Sequence, residues 1–427
     1  MFKKINLKRY ASGLRLVTVP MKGTESTTIF FFFEVGSRYE PDNLTGAAHF
    51  IEHLMFKGTK KRPTTLAISK ELDCVGAEFN AMTSKDFTGY YVKINHEKLK
   101  TGLDVLSDML LNSVFDEKEL QREKGVIIEE INMYHDNPLM YIEDRVESLI
   151  YKGSTLQREI AGEKEVFRKI ERADLLNFKN AHYNPAKTVV VVAGRVPSDV
   201  ETLVAKYYLK HFKKSRGNGS GYEKFISTQS AARVDLMYKK TDQVQLALGF
   251  LAPGYESEKL EATNLLSVIL GGNMSSRLFI QVRERRGLAY FVRCSSNPYP
   301  DIGSVIIQSG LDRGRVDEAL KVILAEIEKI KRYGVSEKEL SDAKEYLRGK
   351  LLLSMEDSSD VAGWVGKQAL LTGKVLSPSE KMARIARVKP REIKAIANEV
   401  FRNNMLNLAI IGPYKDKRRF AGIISQT

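Results

Sequence analysis

The order of apolar and polar residues predicts alternating strands and helices in the first half of the chain. Apolar runs of strand length occur at 14–19, 27–35 and 188–193. A stretch rich in threonine and aromatic residues predicts a β-hairpin at 79–94. Helical spacing of apolar positions predicts helices at 47–56, 64–75, 97–111 and 117–134, with further helices up to residue 182. This mixture of elements favours an α/β fold.

The second half of the chain repeats this order of elements. With a shift of 214 residues, AHFIEHLMFKG at 48–58 aligns with ATNLLSVILGG at 262–272. With a shift of 220 residues, EKEL at 117–120 aligns with EKEL at 337–340. A repeat of this length predicts two similar halves, each with its own core.

The length of 427 residues also favours two domains, because a single core seldom grows so large. The stretch SRGNGSG is rich in small and polar residues and is typical of a linker. We therefore expect a first half at 1–212, a linker at 213–230 and a second half at 231–427.

The net charge of +14 arises from Lys and Arg residues that are spread along the chain among Glu residues. This distribution is typical of a solvated surface rather than of a nucleic-acid-binding patch. No apolar stretch is long enough to span a membrane, and the first residues do not resemble a secretory signal. The only cysteines, Cys74 and Cys294, are far apart, so we expect no disulfide framework and a cytoplasmic location.

The strongest chemical signal is the segment HFIEHLMFKGT, which starts at His49. His49 and His53 are one helical turn apart, so both imidazoles lie on one face and can bind one metal ion. Glu52 borders that face and is placed to act as a general base. This H-x-x-E-H arrangement reverses the H-E-x-x-H helix of many zinc proteases.

The helix predicted at 117–134 supplies candidates for a third ligand. Glu123 and Glu130 lie on one otherwise apolar stripe, where an unpaired carboxylate would be costly, so a metal ion is a suitable partner. Glu129 lies on a different stripe and is interpreted as a solvated charge. The spacing favours Glu130 as the ligand but leaves Glu129 open.

The two halves differ in this chemistry. Opposite His49 and His53 the second half has Thr263 and Ser267, and opposite Glu130 it has Lys350. We therefore expect metal binding in the first half only.

HFIEH followed by 76 residues and then Glu130 resembles the pattern of the pitrilysin-type inverted zinc peptidases, in particular the short branch that is similar to processing peptidases. The resemblance implies an α+β fold of two homologous sandwich halves that form a clamshell around a chamber. It also implies that Zn²⁺ is bound by His49, His53 and Glu130, with Glu123 as a supporting residue.

The segment GGNMSSRLFIQVRERRGLAY in the second half resembles the same family. The resemblance implies that Arg283 and Tyr290 contact the bound peptide, and that Tyr290 stabilises the oxyanion of the transition state. It further implies that the peptide adds as a β-strand to the edge at Asn80 and Ala81.

The resulting hypothesis is a zinc metalloendopeptidase that hydrolyses unstructured peptides or presequence-like segments, with water activated by Glu52. We expect peptide substrates and a homodimer, and neither nucleic acid nor membrane as a partner. The alternative is a non-catalytic scaffold, as some members of this family are, but such members have lost the motif. Binding of nucleic acid through the basic charge is a third hypothesis without a supporting motif.

Overall fold

The computed structural model describes residues 5–212 and 221–425, which form two compact units. The first unit contains residues up to 132 together with 158–222 and 351–377. The second unit contains 133–157, 223–350 and the chain from 378 onwards.

The first unit is built on a six-stranded mixed sheet. Its strands in chain order are β1 (Asn6–Arg9), β2 (Arg15–Pro20), β3 (Ser26–Phe33), β4 (Glu78–Thr83), β5 (Thr88–Asn95) and β6 (Thr188–Gly194). Their order in the sheet is β1-β2-β6-β3-β5-β4. Only β2 and β6 pair in parallel, and the other neighbours are antiparallel.

The phenylalanine run of β3 shows why this sheet is buried on both faces. Phe31 and Phe33 point into one core, whereas Phe30 and Phe32 point into another on the opposite face. Because successive side chains of a strand alternate between faces, a continuous apolar run indicates a layer of other elements on each side.

The second unit is built on a five-stranded sheet. Its strands are β7 (Arg233–Tyr238), β8 (Gln243–Ala252), β9 (Ala289–Pro298), β10 (Gly303–Asp312) and β11 (Asn407–Gly412). The order β7-β11-β8-β10-β9 repeats the order β2-β6-β3-β5-β4 of the first sheet, again with one parallel pair. The predicted fold class of two similar α/β halves is confirmed.

Fifteen α-helices of the described ranges accompany the sheets. They are α1 (Ala47–Met55), α2 (Thr65–Asp73), α3 (Leu99–Asn112), α4 (Glu117–Asp136), α5 (Pro138–Ile150), α6 (Lys164–Lys169), α7 (Arg172–His182), α8 (Val200–Tyr207), α9 (Leu260–Ser267), α10 (Val316–Tyr333), α11 (Glu337–Ser354), α12 (Ser358–Leu371), α13 (Pro378–Arg387), α14 (Pro390–Val400) and α15 (Arg418–Ile424). No described helix is long and apolar enough to cross a membrane.

Compared with the halves expected from the sequence, each unit contains one helix that comes from the other half of the chain. Helix α12, from the second half of the chain, packs on β3 and β6 in the first unit. Helix α5, from the first half, packs on β8 and β11 in the second unit. The expected halves at 1–212 and 231–427 therefore differ from the compact units in these segments. Residues 213–220 of the expected linker lie outside the described residues, and the change of unit after Tyr222 falls within its remainder.

Small residues allow the exchanged helices to approach their sheets closely. A Cβ atom added to Gly366 of α12 would lie 2.1 Å from the Phe32 ring. A Cβ atom added to Gly249 of β8 would lie 2.4 Å from Ile150 of α5. Each contact therefore depends on the absence of a side chain at one position.

Two glycines of α12 offer a matched test of this packing. We expect Gly366→Ala to lower the free energy of unfolding by about 1–3 kcal/mol, because the added methyl group overlaps the Phe32 ring. A Cβ atom at Gly363 would lie 4.0 Å from Phe30, so Gly363→Ala should raise stability by about 0.5–1 kcal/mol through helix propensity. Denaturant unfolding of both variants measures the difference, and equal effects would contradict the close approach.

Candidate active site

The ligands predicted for a metal ion come together in the first unit. Helix α1 places His49 and His53 on one face, with 3.2 Å between their Nε2 atoms. Helix α4 brings Oε2 of Glu130 to 3.7 Å from Nε2 of His49 and 3.5 Å from Nε2 of His53. Two helices that are distant in sequence therefore present three ligand atoms to one small volume.

These separations fit a tetrahedral zinc site. Ligand atoms at 2.0–2.1 Å from Zn²⁺ in tetrahedral geometry are about 3.3 Å apart. The three observed distances lie close to that value, and the candidate ligand atoms all lie within 4.8 Å of one another. The set of two imidazoles and one carboxylate is also one that catalytic zinc sites use, leaving one position open.

The protonation of His49 suits metal binding. Burial lowers the pKa of His49, and the neighbouring His53 lowers it further, to about 3. The imidazole is therefore neutral near pH 7, and only the neutral form has a lone pair to offer a metal ion.

Glu123 orients the second histidine. Its Oε1 lies 2.9 Å from Nδ1 of His53, and its Oε2 lies 2.7 Å from Nζ of Lys57. Burial opposes ionisation of Glu123, but the hydrogen bonds from His53 and Lys57 outweigh it and lower the pKa of the carboxyl group. The ionised carboxylate accepts a hydrogen bond from Nδ1–H of His53, which leaves Nε2 of His53 free to bind a metal ion.

Glu52 is held at the side of the ligand cluster. The hydroxyl group of Thr83, the last residue of β4, donates a 2.5 Å hydrogen bond to Oε2 of Glu52. Burial raises the pKa of Glu52, and the bond from Thr83 offsets this in part. One carboxylate oxygen is therefore fixed by β4.

Glu129, the alternative third ligand, is exposed and accepts a 3.2 Å hydrogen bond from Asn132. It is not a member of the ligand cluster, whereas Glu130, one residue later, is. The helical stripe that favoured Glu130 matches this geometry.

The chain is similar to known proteins along most of its length. Residues 15–164 match the family described as Insulinase (Peptidase family M16), and 169–347 match the Peptidase M16 inactive domain. An uncharacterized zinc protease from Streptomyces coelicolor is 34% identical to this chain over 95% of the chain and 89% of its own length. This chain belongs to peptidase family M16.

Two further similar proteins are covered along almost their whole length. The uncharacterized zinc protease YmxG of Bacillus subtilis is 33% identical, covering 95% of this chain and 98% of its own. The crystal structure of a protease from Helicobacter pylori superposes with a TM-score of 0.92 at 24% identity, covering 97% of this chain and 100% of its own. The structure shows that the fold is shared. The relatives from Streptomyces coelicolor and Bacillus subtilis are named zinc proteases, so the predicted cofactor, Zn²⁺, is confirmed for the family.

The M16 resemblance also assigned the substrate edge to Asn80 and Ala81. Both lie on β4, which is the last strand of its sheet and pairs only with β5 among the described strands. The side-chain oxygen of Asn80 accepts a 2.8 Å hydrogen bond from the backbone N–H of Ala81. The strand that fixes Glu52 is therefore also an open sheet edge, and substrate binding there stays a prediction.

Arg283 and Tyr290 belong to the second unit. The Arg283 guanidinium lies 5.7 Å from the centre of the Tyr290 ring and 4.8 Å from that of Phe279. The Tyr290 side chain is 74% exposed. The structure thus brings this pair together on the surface of its unit, and its contact with a peptide stays a prediction.

Two residues of the site were missed in the sequence. Lys57 follows α1 by two residues, and the sequence does not distinguish it from the nearby Lys60, Lys61 and Arg62. Thr83 lies in a hairpin that also contains Thr88, and the sequence does not show which of the two faces the site. Neither spacing nor composition distinguishes these residues, because their partners come from other elements.

The two adjacent carboxylates of α4 provide a matched pair of variants. We expect Glu130→Gln to weaken zinc binding at least about 10-fold, because it removes the anionic ligand. Glu129→Gln should bind zinc like the wild-type protein, because Glu129 points away from the cluster. Competition with a chromophoric chelator measures both affinities, and equal losses would refute the choice of Glu130.

Proposed function

We propose that this M16 protein is a zinc metalloendopeptidase that hydrolyses unstructured peptides at the cluster of His49, His53 and Glu130. The observation that carries the proposal is the position of Glu52, a half-buried carboxylate fixed beside three convergent ligand atoms. A metal site that served structure alone would not need an additional, non-ligating carboxylate held at the side of its ligands.

The ligands and the metal ion have separate tasks in this proposal. When bound, Zn²⁺ acts as a Lewis acid that polarises the scissile carbonyl group and lowers the pKa of water. His49 and His53 contribute neutral nitrogens, and Glu130 contributes the only negative charge, so the centre keeps a net positive charge. Glu123 holds the tautomer and ring orientation of His53.

Glu52 moves the proton. Its Oε2 accepts the hydrogen bond from Thr83, which leaves Oε1 to take a proton from the attacking water. The same oxygen then delivers the proton to the leaving amine, so the carboxylate returns to its starting state after each cycle. Its raised pKa brings it nearer to neutral pH, where a general base is most effective.

The substrate class follows from the edge strand. A peptide that pairs with β4 must be extended, because strand addition uses main-chain hydrogen bonds at a sheet edge. Folded segments would have to unfold first, which favours unstructured peptides, including presequence-like segments.

Tyr290 is proposed to stabilise the oxyanion, on the basis of the family pattern. A homodimer and a cytoplasmic location stay predictions from the sequence.

A scaffold without activity is the competing function, and one variant separates the two. We expect Glu52→Gln to bind zinc like the wild-type protein and to lose about 10²–10⁴-fold in kcat, because only the proton acceptor is removed. Cleavage of a fluorogenic peptide, with Glu129→Gln as the active control, measures the loss. Normal turnover by zinc-loaded Glu52→Gln would refute the role of Glu52, and no turnover by the wild-type protein would favour the scaffold.

A second variant tests the residue proposed from the second unit. Tyr290→Phe should lower kcat on the order of 10²-fold with a smaller change in KM, because the hydroxyl group is assigned to the transition state. Steady-state kinetics on the same peptide measures both constants. An unchanged kcat would remove Tyr290 from the mechanism.

A further inference from the structure

Helix α1 carries three residues of the proposed site, yet it begins without a capping side chain of its own. Its N-cap is Gly46, whose φ of 87° lies in the left-handed region. A Cβ atom there would lie 2.6 Å from the Phe167 ring. Serine, threonine or aspartate, which usually cap helices, therefore do not fit at this position. The free N–H groups of the first turn need an acceptor from elsewhere.

Glu40 supplies that acceptor from the loop before the helix. Its Oε2 accepts a 2.7 Å hydrogen bond from the backbone N–H of Gly46, and its Oε1 accepts a 2.8 Å bond from that of Ala48. The residue is only 2% exposed. One carboxylate thus binds two donors of the first turn and also complements the positive end of the helix dipole.

The loop around Glu40 is itself fixed. The Arg158 guanidinium donates to the backbone carbonyl of Glu40 and pairs with the carboxylate of Asp42. A Cβ atom on Gly162 would lie 2.5 Å from Cα of Gly46, so this neighbouring segment also closes on the helix start. The position of the carboxylate is therefore determined by packing and not by α1 alone.

The first turn that Glu40 holds contains a metal ligand. Ala48, which donates to Glu40, immediately precedes His49, and α1 has only nine residues. A small rotation or fraying of the first turn would move Nε2 of His49 away from the 3.2 Å and 3.7 Å separations that suit a zinc ion. Ligand placement in a metal site tolerates little error.

We propose that Glu40 is a positioning residue that holds His49 in place for metal binding by capping α1. This inference rests on the proposed zinc site, but it does not require hydrolysis. Burial raises the pKa of Glu40 to about 7, so the charged form is already disfavoured by its surroundings. Glutamine keeps the length of the side chain and one of its two acceptors, so Glu40→Gln is a milder change at this position than Glu40→Ala.

The test compares Glu40→Gln and Glu40→Ala with Thr64→Ala. Thr64 caps α2 through a 3.1 Å bond from the N–H of Ala67, and α2 carries no proposed ligand. We expect the affinity for zinc alone to fall about 10-fold in Glu40→Gln, which keeps one acceptor, and about 100-fold in Glu40→Ala. Thr64→Ala should lower only the melting temperature. Chelator competition, circular dichroism and thermal unfolding supply these values.

Zinc affinity of Glu40→Gln within twofold of the wild-type value would overturn the proposal. An equal loss of zinc affinity in Thr64→Ala would also overturn the proposal. Failure of Glu40→Gln to fold would overturn it as well. Both results would mean that the Glu40 carboxylate serves general stability and not the placement of His49. In zinc-saturated protein, Glu40→Gln should lower kcat and leave KM unchanged. If the wild-type protein binds zinc but cleaves no peptide, the proposed function fails while the affinity comparison still decides the role of Glu40.

Discussion

The hydrogen bond between His53 and Glu123 joins the two helices on which the site depends. Both partners are largely withdrawn from solvent, and Lys57 compensates the charge of the carboxylate. An ionised carboxylate in such surroundings is stable only when it is paired. Glu130 lies two helical turns after Glu123 on the same face of α4. Anchoring Glu123 against His53 therefore also places Glu130 near the histidines. This contact, together with the burial of Leu120 and Ile127 in the same core as α1, fixes the register of α4 and so places Glu130 beside the histidines.

A second constraint acts on the sheets rather than on the site. Each sheet is apolar on both faces, so each unit needs a helix on the face opposite α1 or α9. That helix comes from the other half of the sequence in both cases. Because of this exchange, a sequence half that is separated at the linker would lack some of the residues that form its core. Burial of apolar surface is the main favourable term in folding, so each unit depends on a segment contributed by the other half.

The sequence predicted the local chemistry of the site but not the packing between distant helices and sheets. The stripe of α4 identified Glu123 and Glu130, because a costly carboxylate on an apolar face implies a partner. The strands and helices of the first half followed from periodicity, whereas the short exposed strand β1 lacks an apolar face and was missed. The exchange of α5 and α12 could not be predicted, because an apolar helix face does not specify which sheet it covers. Lys57 was missed for the same reason, since its partner is known only once α1 and α4 meet.

The unequal repeat shows that the fold does not require the metal chemistry. At the positions of the two histidines, the second unit has Thr263 and Ser267 on α9, the counterpart of α1. The Thr263 hydroxyl donates to the carbonyl of Lys259, and the Ser267 hydroxyl donates to that of Asn264. Both hydroxyl groups are hydrogen-bonded within their own helix and need no partner from another element. His49 and His53, in contrast, turn their Nε2 atoms towards each other and towards Glu130, an arrangement that suits a cation between them. The same scaffold thus keeps its core in both units, and the convergent imidazoles are an addition made on α1 and not on its counterpart α9.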